Sequence, residues 1–272
     1  MGKIQYDYEA IFIDVGQGDA TIIHKLSNMH SVLVDAAIPS PVLSILKQST
    51  ELETIFITHW DKDHIGGMPA VVNWIEDQTQ NVVEIFVNLQ HATTKSAKRL
   101  TRTLDAAYND GKIELRPACN DSKSTLKIIN GNFFILWPPY GKVIGRPDDR
   151  NFGSVILRFE VENFSLLLGG DAEGDVWPQL DQTALKADIF RYPHHGGVLY
   201  KNKDDWSADE LISKVNPDWV VVSVGKNNPH GHPSKEFNQV KSRYPTIQFL
   251  DTTKGNIRLQ IESSTGNIIK DN

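Results

Sequence analysis

The stretch Thr58-His59-Trp60-Asp61-Lys62-Asp63-His64 decides how this chain is read. It places His59, Asp61, Asp63 and His64 within six residues. Imidazole nitrogen and carboxylate oxygen are the usual ligands of zinc and similar cations. The run ahead of it, Leu52 to Thr58, is rich in Ile, Phe and Thr and reads as a buried strand. Gly66-Gly67 follows, which lets a loop turn sharply and approach a site closely. Such a loop can aim alternate residues at one cation and their neighbours at a second. The competing reading is an exposed polar loop that merely carries two His and two Asp. Clustering directly after a buried strand favours the metal site.

Three later clusters repeat the pattern of an apolar strand ending in polar residues. Leu166-Leu167-Leu168 runs into Gly169-Gly170-Asp171. Ala187 to Tyr192 runs into Pro193-His194-His195-Gly196-Gly197. Trp219 to Val224 runs into Gly225, followed by Asn227, His230 and His232. Asp171 alone could be a turn-capping residue. Two adjacent imidazoles ahead of Gly-Gly favour ligation or catalysis. His230 and His232 read equally well as surface-loop residues. All these residues follow strands, so their loops can converge on one edge of the sheets.

The chain has 272 residues, 40% hydrophobic and 23% charged, which suits one large α/β or sandwich domain spanning 1–272. A net charge of −6 argues against a general charge-driven nucleic-acid binder. Even so, Lys95, Lys98, Arg99 and Arg102 form one basic cluster, either a solvated helix face or a clamp for a phosphate-bearing substrate. The lone Cys119 cannot form an intramolecular disulfide. The first ten residues lack an apolar signal core, and no uncharged apolar run reaches membrane-spanning length. The expectation is a cytoplasmic protein without membrane association.

Ala10–Asp14, Ala20–His24 and Ser31–Asp35 read as strands of a hairpin or meander around the turn Val15 to Asp19. Pro41–Gln48, Met68–Ile75 and Lys95–Asn109 read as helices. Val82–Val87, Phe133–Trp137, Ser154–Glu160 and Ser165–Leu168 read as further strands, and polar Tyr140–Arg150 as a loop and half-domain seam. Strands followed by helices in both halves predict sheets packed between helical layers.

Six blocks in this order resemble the metallo-β-lactamase superfamily, and more narrowly the hydrolase domain of ComEC-type DNA-uptake proteins. They are Asp14 to Ala20, the His59–His64 loop with Ile65-Gly66-Gly67, Asn151-Phe152-Gly153-Ser154, Leu168 to Asp171, Pro193 to Gly196, and Gly231-His232-Pro233. The resemblance spans roughly residues 9 to 260. It implies an α/β fold, an αββα sandwich of two mixed β-sheets packed face to face with helices outside. It also implies a metal-dependent hydrolase of phosphoric esters, a phosphodiesterase or nuclease, with two divalent ions, Zn2+ or Mn2+. The substrate would be a phosphate ester or nucleic acid, and the chain would carry the hydrolase domain alone.

The resemblance assigns roles. His59 and Asp61 would hold the first cation, Asp63 and His64 the second, and Asp171 would bridge them. The last ligand would come from His194 or His195. Asp63 would also belong to the catalytic set. His232, or His195 if it is not the ligand, would protonate the leaving group. Asp35 would orient a ligating imidazole, and Gln17 and Asp19 would line the site. Asp61 replaces the family's second His, and Asn151 falls where many relatives carry a His ligand, which weakens the first position. The harder donor set shifts the preference towards manganese, with zinc still open. The same departures disfavour a β-lactamase. Two alternatives stand beside this reading: a non-catalytic or regulatory metal-binding module, and a hydrolase of a non-phosphate ester or lactone.

Overall fold

The structure is a computed structural model that describes residues 6–78, 81–90, 93–120, 125–146 and 148–271. The first five residues of the stretch read as lacking a signal core lie outside them. The described residues form fifteen strands in two sheets.

The chain begins with β1 (Tyr8–Phe12), β2 (Thr21–Lys25) and β3 (His30–Val34), which pair antiparallel as the expected meander. β4 (Glu51–Ile57), β5 (Val83–Val87) and β6 (Ile113–Pro117) then add in parallel beside β3. Parallel neighbours need crossovers. These are α1 (Pro39–Leu46), the short α2 (Lys62–Ile65) followed by α3 (Met68–Gln78), and α4 (Lys95–Asn109). The second sheet starts with antiparallel β7 (Leu126–Ile128), β8 (Gly131–Trp137), β9 (Ile156–Val161) and β10 (Phe164–Leu168), with α5 (Tyr140–Gly145) between β8 and β9. It continues in parallel through β11 (Ile189–Arg191), β12 (Trp219–Val222) and β13 (Gln248–Asp251), joined by α6 (Ala208–Val215) and α7 (Lys235–Lys241). Finally β14 (Ile257–Glu262) and β15 (Asn267–Asp271) return to the first sheet, where β14 pairs with β1.

Three apolar layers hold this together. Phe12, Phe56, Phe133 and Phe159 are buried between the sheets. Ile55, Val71, Leu100 and Leu104 seal α3 and α4 onto the outer face of the first sheet. Phe190, Leu211, Val220 and Phe237 do the same for α6 and α7 on the second. The result is the expected αββα sandwich of two mixed sheets.

Two features differ from the sequence reading. Tyr140–Gly145 is a helix, not a loop, started at Pro139, whose carbonyl accepts from Lys142 N at 3.0 Å. It also marks no seam, since β8 and β9 on either side pair with each other. Several elements carried signals that the reading passed over. Helix α6 opens with a complete capping box, Ser207 and Glu210. Strand β14 alternates buried Ile257, Leu259 and Ile261 with polar residues. Among the described residues no helix is long and apolar enough to cross a membrane.

Candidate metal centre

The parallel strands bring their carboxyl ends to a common edge, the usual place for a site in such sheets. The segments after β3, β4, β10, β11 and β12 meet there. Asp35 follows β3 in a left-handed conformation (φ 58°) and is fully buried. It accepts from the Thr58 backbone N–H (2.9 Å) and the Thr58 hydroxyl (2.6 Å), and lies 2.7 Å from His64 Nδ1. An acceptor-only carboxylate holds a His64 proton on Nδ1 and so leaves Nε2 as the nitrogen that faces the site. His195 is fixed in the same way, because its Nδ1 lies 2.9 Å from the carbonyl oxygen of Ser223. His59 Nδ1 lies 3.0 Å from Thr58 Oγ1. That hydroxyl donates its proton to Asp35, so it accepts from His59. All three imidazoles therefore present Nε2 to the same space.

Asp171 stands in that space. Its carboxylate lies 3.2 Å from His64 Nε2, 3.6 Å from His195 Nε2 and 3.8 Å from His59 Nε2. Asp63 lies 3.5 Å from His195 Nε2, and the Nε2 atoms of His64 and His195 are 3.4 Å apart. Two overlapping groups result, His59–His64–Asp171 and Asp63–His64–His195, each with donor atoms within 4.8 Å of one another. Ligands held about 2.1 Å from a tetrahedral cation stand roughly 3.4 Å apart. The separations match this, while most are too long for direct hydrogen bonds. His59 Nε2 and Asp171 Oδ1 are also buried without a hydrogen-bond partner among the described residues. The donor set therefore fits divalent cations.

The electrostatics follow from this crowding. Burial works against charge on His64, but Asp171 and Asp35 outweigh it and raise its pKa well above the ordinary value. Burial and the charge of His64 push the neighbouring His59 well down. Burial would raise Asp171, yet His64 and His195 hold it well below the carboxylate range. Asp63 is likewise lowered against burial, by His195 and His64. Asp61 goes the other way, raised by burial despite Arg150.

The remaining candidates surround this cluster. Asp61 Oδ1 is 2.5 Å from Arg150 Nε, and its other oxygen is 3.8 Å from His59 Nε2. His194 stands apart from the cluster, with Nδ1 3.6 Å from Glu173 and its ring against that of His232 at 5.5 Å. Adjacent His194 and His195 both adopt left-handed conformations (φ 50° and 53°), and their side chains part ways. Asn151 donates its amide to Glu173 Oε1 at 2.9 Å. His232 is pushed down to about 4 by burial and by His194 and His195, so it is neutral at neutral pH. Gln17 lines the cleft and accepts from Gly225 N at 3.3 Å. Asp19 is buried behind the cluster, paired with Arg191 and accepting from Ser223 Oγ at 2.9 Å.

Arg191, Glu173 and Arg150 were not singled out from sequence, and Ser154 figured only in the Asn151 to Ser154 block. Arg191 is fully buried, and a cation inside an otherwise apolar strand was its signal. Ser154 Oγ accepts from the Asp171 backbone N–H at 2.9 Å. Nothing local marks Arg150 or Glu173. Asp63, Asp171 and His195 form the floor of a cleft of ≈ 600 Å³, with His59 and His64 fully buried and Lys62, Arg150, Asn151, His194 and His232 on the walls. A second cavity of ≈ 440 Å³, lined by Phe86, Leu126, Ile135 and Trp137 among others, holds none of the imidazoles.

This arrangement and fold define the class of structure: the chain has the metallo-β-lactamase fold. It is similar to YhfI from Bacillus subtilis, a protein of that fold, with a TM-score of 0.57 and 11% identity, covering 91% of this chain and 98% of that one. It is similar to a diphosphatase of the PhnP family (TM-score 0.52, 11% identity, 93% and 98% covered). A third is Zn2+-bound PqqB from Methylobacterium extorquens (TM-score 0.54, 12% identity, 90% and 88% covered). No family model matches the chain. In sequence it is 24% identical to ComE operon protein 3 of Bacillus subtilis (strain 168) over 288 residues, 95% of this chain and 34% of that protein. It is 26% identical to Recombination protein 2 of Haemophilus influenzae over 256 residues, 91% of this chain and 28% of that protein. The chain thus spans about a third of the length of the curated relatives it matches.

Proposed function

We propose that the protein is a metal-dependent hydrolase of phosphoric diesters, acting on nucleic acid. One observation carries the hydrolase reading. Three imidazoles, each with its Nδ1 proton tied back, aim Nε2 at Asp171 on the floor of an open cleft.

Asp63, His64, His195 and Asp171 would hold one divalent cation, and His59, Asp61 and Asp171 a second. The first of these positions is the fuller one. Arg150 occupies Asp61 in the other, and Asn151 turns its amide to Glu173. When bound, such cations acidify a water and neutralise charge on the substrate oxygen. Asp35, Thr58 and the Ser223 carbonyl keep the imidazoles aligned. Lys62 and Arg150 face an anion entering the cleft. His232, neutral at the mouth, would accept a proton and not donate one, which leaves the protonation of the leaving oxygen to water.

The phosphodiester reading draws support from the basic cleft residues, from a diphosphatase sharing the fold, and from a relative named for recombination. The test is turnover after chelation and reconstitution with Zn2+ or Mn2+. The substrates are bis-p-nitrophenyl phosphate, single-stranded DNA, RNA, a lactone and a lactam. Diester turnover lost in Asp63→Ala and Asp171→Ala is expected. Lactone or lactam turnover without diester turnover overturns the substrate, and a protein that binds no metal overturns the hydrolase.

A further inference from the structure

The basic stripe on α4 plays no part in the cleft chemistry. Ala97, Leu100, Leu104 and Ala107 bury one face of this helix. Lys95, Lys98, Arg99 and Arg102 are all exposed, and their i, i+3, i+4, i+7 spacing aligns them along one line. A solvated helix face normally neutralises itself with carboxylates at such spacings. Here Lys95, Lys98 and Arg99 have no carboxylate at such spacings along the helix, and Arg102 alone has one, Asp105. The chain has nine arginines, and seven of them (116, 146, 150, 158, 191, 243 and 258) are ion-paired. Arg99 and Arg102 have no ion pair among the described residues, nor do Lys95 and Lys98. Four cations without an ion pair among the described residues, on two turns of a chain with net charge −6, are a local exception.

Topology sets where the stripe points. β5 and β6 are parallel, so α4 runs back against them and starts at the edge where the metal-ligand loops gather. The basic half is therefore the half nearest the cleft. Helix α4 also packs against α2, which carries Lys62, an exposed cation of the cleft wall without an ion pair among the described residues. Helix α2 thus carries Lys62 together with Asp63 and His64 of the ligand cluster and touches the helix that bears the stripe. From Lys95 to Arg102 the stripe covers about 10 Å at 1.5 Å per residue. That reaches several phosphates of a nucleic-acid strand.

We propose that the exposed face of α4 is a phosphate-backbone binding surface, which holds a single polynucleotide strand whose neighbouring phosphodiester enters the cleft. The proposal rests on the phosphodiesterase reading for what happens in the cleft, but strand binding can be measured without it. Cations without aromatic neighbours grip backbone and not base, so the surface is indifferent to sequence. Each phosphate contact to a single strand contributes about −0.7 to the log–log dependence of affinity on salt.

The experiment uses the whole chain and the variant Lys95→Gln/Lys98→Gln/Arg99→Gln/Arg102→Gln, since Gln has nearly the helix propensity of Lys and Arg. Binding of a fluorescein-labelled single-stranded oligonucleotide of about 30 nucleotides is followed by anisotropy across a salt series. Turnover of bis-p-nitrophenyl phosphate is measured in parallel. The expected result is oligonucleotide affinity at least about tenfold weaker at low salt and a log–log slope shallower by about three. Turnover of the small diester is unchanged. Equal affinity and slope in the two proteins overturn the surface. Binding of phosphatidylserine vesicles in place of the oligonucleotide also overturns it. Loss of oligonucleotide binding in a protein that turns over no diester leaves the surface standing and removes the phosphodiesterase reading.

Discussion

Replacing Asp35 with Asn tests the centre most sharply, because it changes a charge and keeps the shape. Asp35 is fully buried and faces Thr58 N (2.9 Å), Thr58 Oγ1 (2.6 Å) and His64 Nδ1 (2.7 Å). In Asp35→Asn one oxygen can still accept from Thr58 N, but an NH2 group replaces the other. Facing that group, His64 Nδ1 must accept and not donate. The imidazole proton then moves to Nε2, the nitrogen aimed at Asp171. In the parent Asp35 keeps a proton on Nδ1 when a cation takes Nε2, whereas in the variant the last imidazole proton sits on Nε2 itself and competes with the cation. Loss of such an orienting partner typically costs 10–100-fold in metal affinity, or about 1.4–2.7 kcal/mol. Asn tolerates the left-handed backbone at this position, so the fold is spared. Asp35→Ala should harm metal affinity similarly and add about 1–2 kcal/mol of backbone cost. Zn2+ and Mn2+ affinities follow from competition with a chromophoric chelator, and stability from thermal unfolding in excess chelator. An Asp35→Asn protein within twofold of the parent in metal affinity would refute the tautomer argument.

Saturating metal should raise the melting temperature. A ligand at about 100 times its Kd adds about 2.7 kcal/mol, or roughly 5–10 °C for a domain of this size. Unchanged melting with and without EDTA counts against a bound cation. In the core between the sheets, Phe56 stacks on Phe86 at 4.9 Å and Phe133 at 5.7 Å. Phe56→Ala should cost about 3–5 kcal/mol in urea unfolding, and a loss below about 1 kcal/mol contradicts the packing. Burial alone would raise the Glu9 pKa, yet His24 and Arg258 hold it below its ordinary 4.5. A folded-state pKa below the unfolded one lends stability that is complete above 4.5 and drains as pH falls below it. Glu9→Gln should therefore flatten the acid limb of melting temperature against pH, and parallel curves would exclude this role for Glu9.

Much of this was legible because the signals were local. Helix α4 was readable to the residue from the spacing of Ala97, Leu100, Leu104 and Ala107. The loop from His59 to His64 announced itself because its polar side chains are consecutive. Asp171 and His195 were marked by glycines after apolar strands. The rest depended on long-range geometry. The parting of His194 and His195, with only the latter in the cluster, goes with two left-handed backbones in succession, which no composition reveals. The pairing of Arg150 with Asp61 joins residues 89 positions apart, across the two sheets. β13 has only four residues, at the edge of its sheet, and shows no period of its own.

The first sheet supplies Asp35, His59, Asp63 and His64, and the second supplies Asp171 and His195. Neither sheet alone contains the complete cradle. On the proposed reading, full-strength capture of a cation would require both sheets to have docked, and loading would be a checkpoint on assembly. A chain stalled with one sheet formed would hold metal weakly and exchange it freely. Slow metal exchange would then distinguish finished molecules from arrested ones.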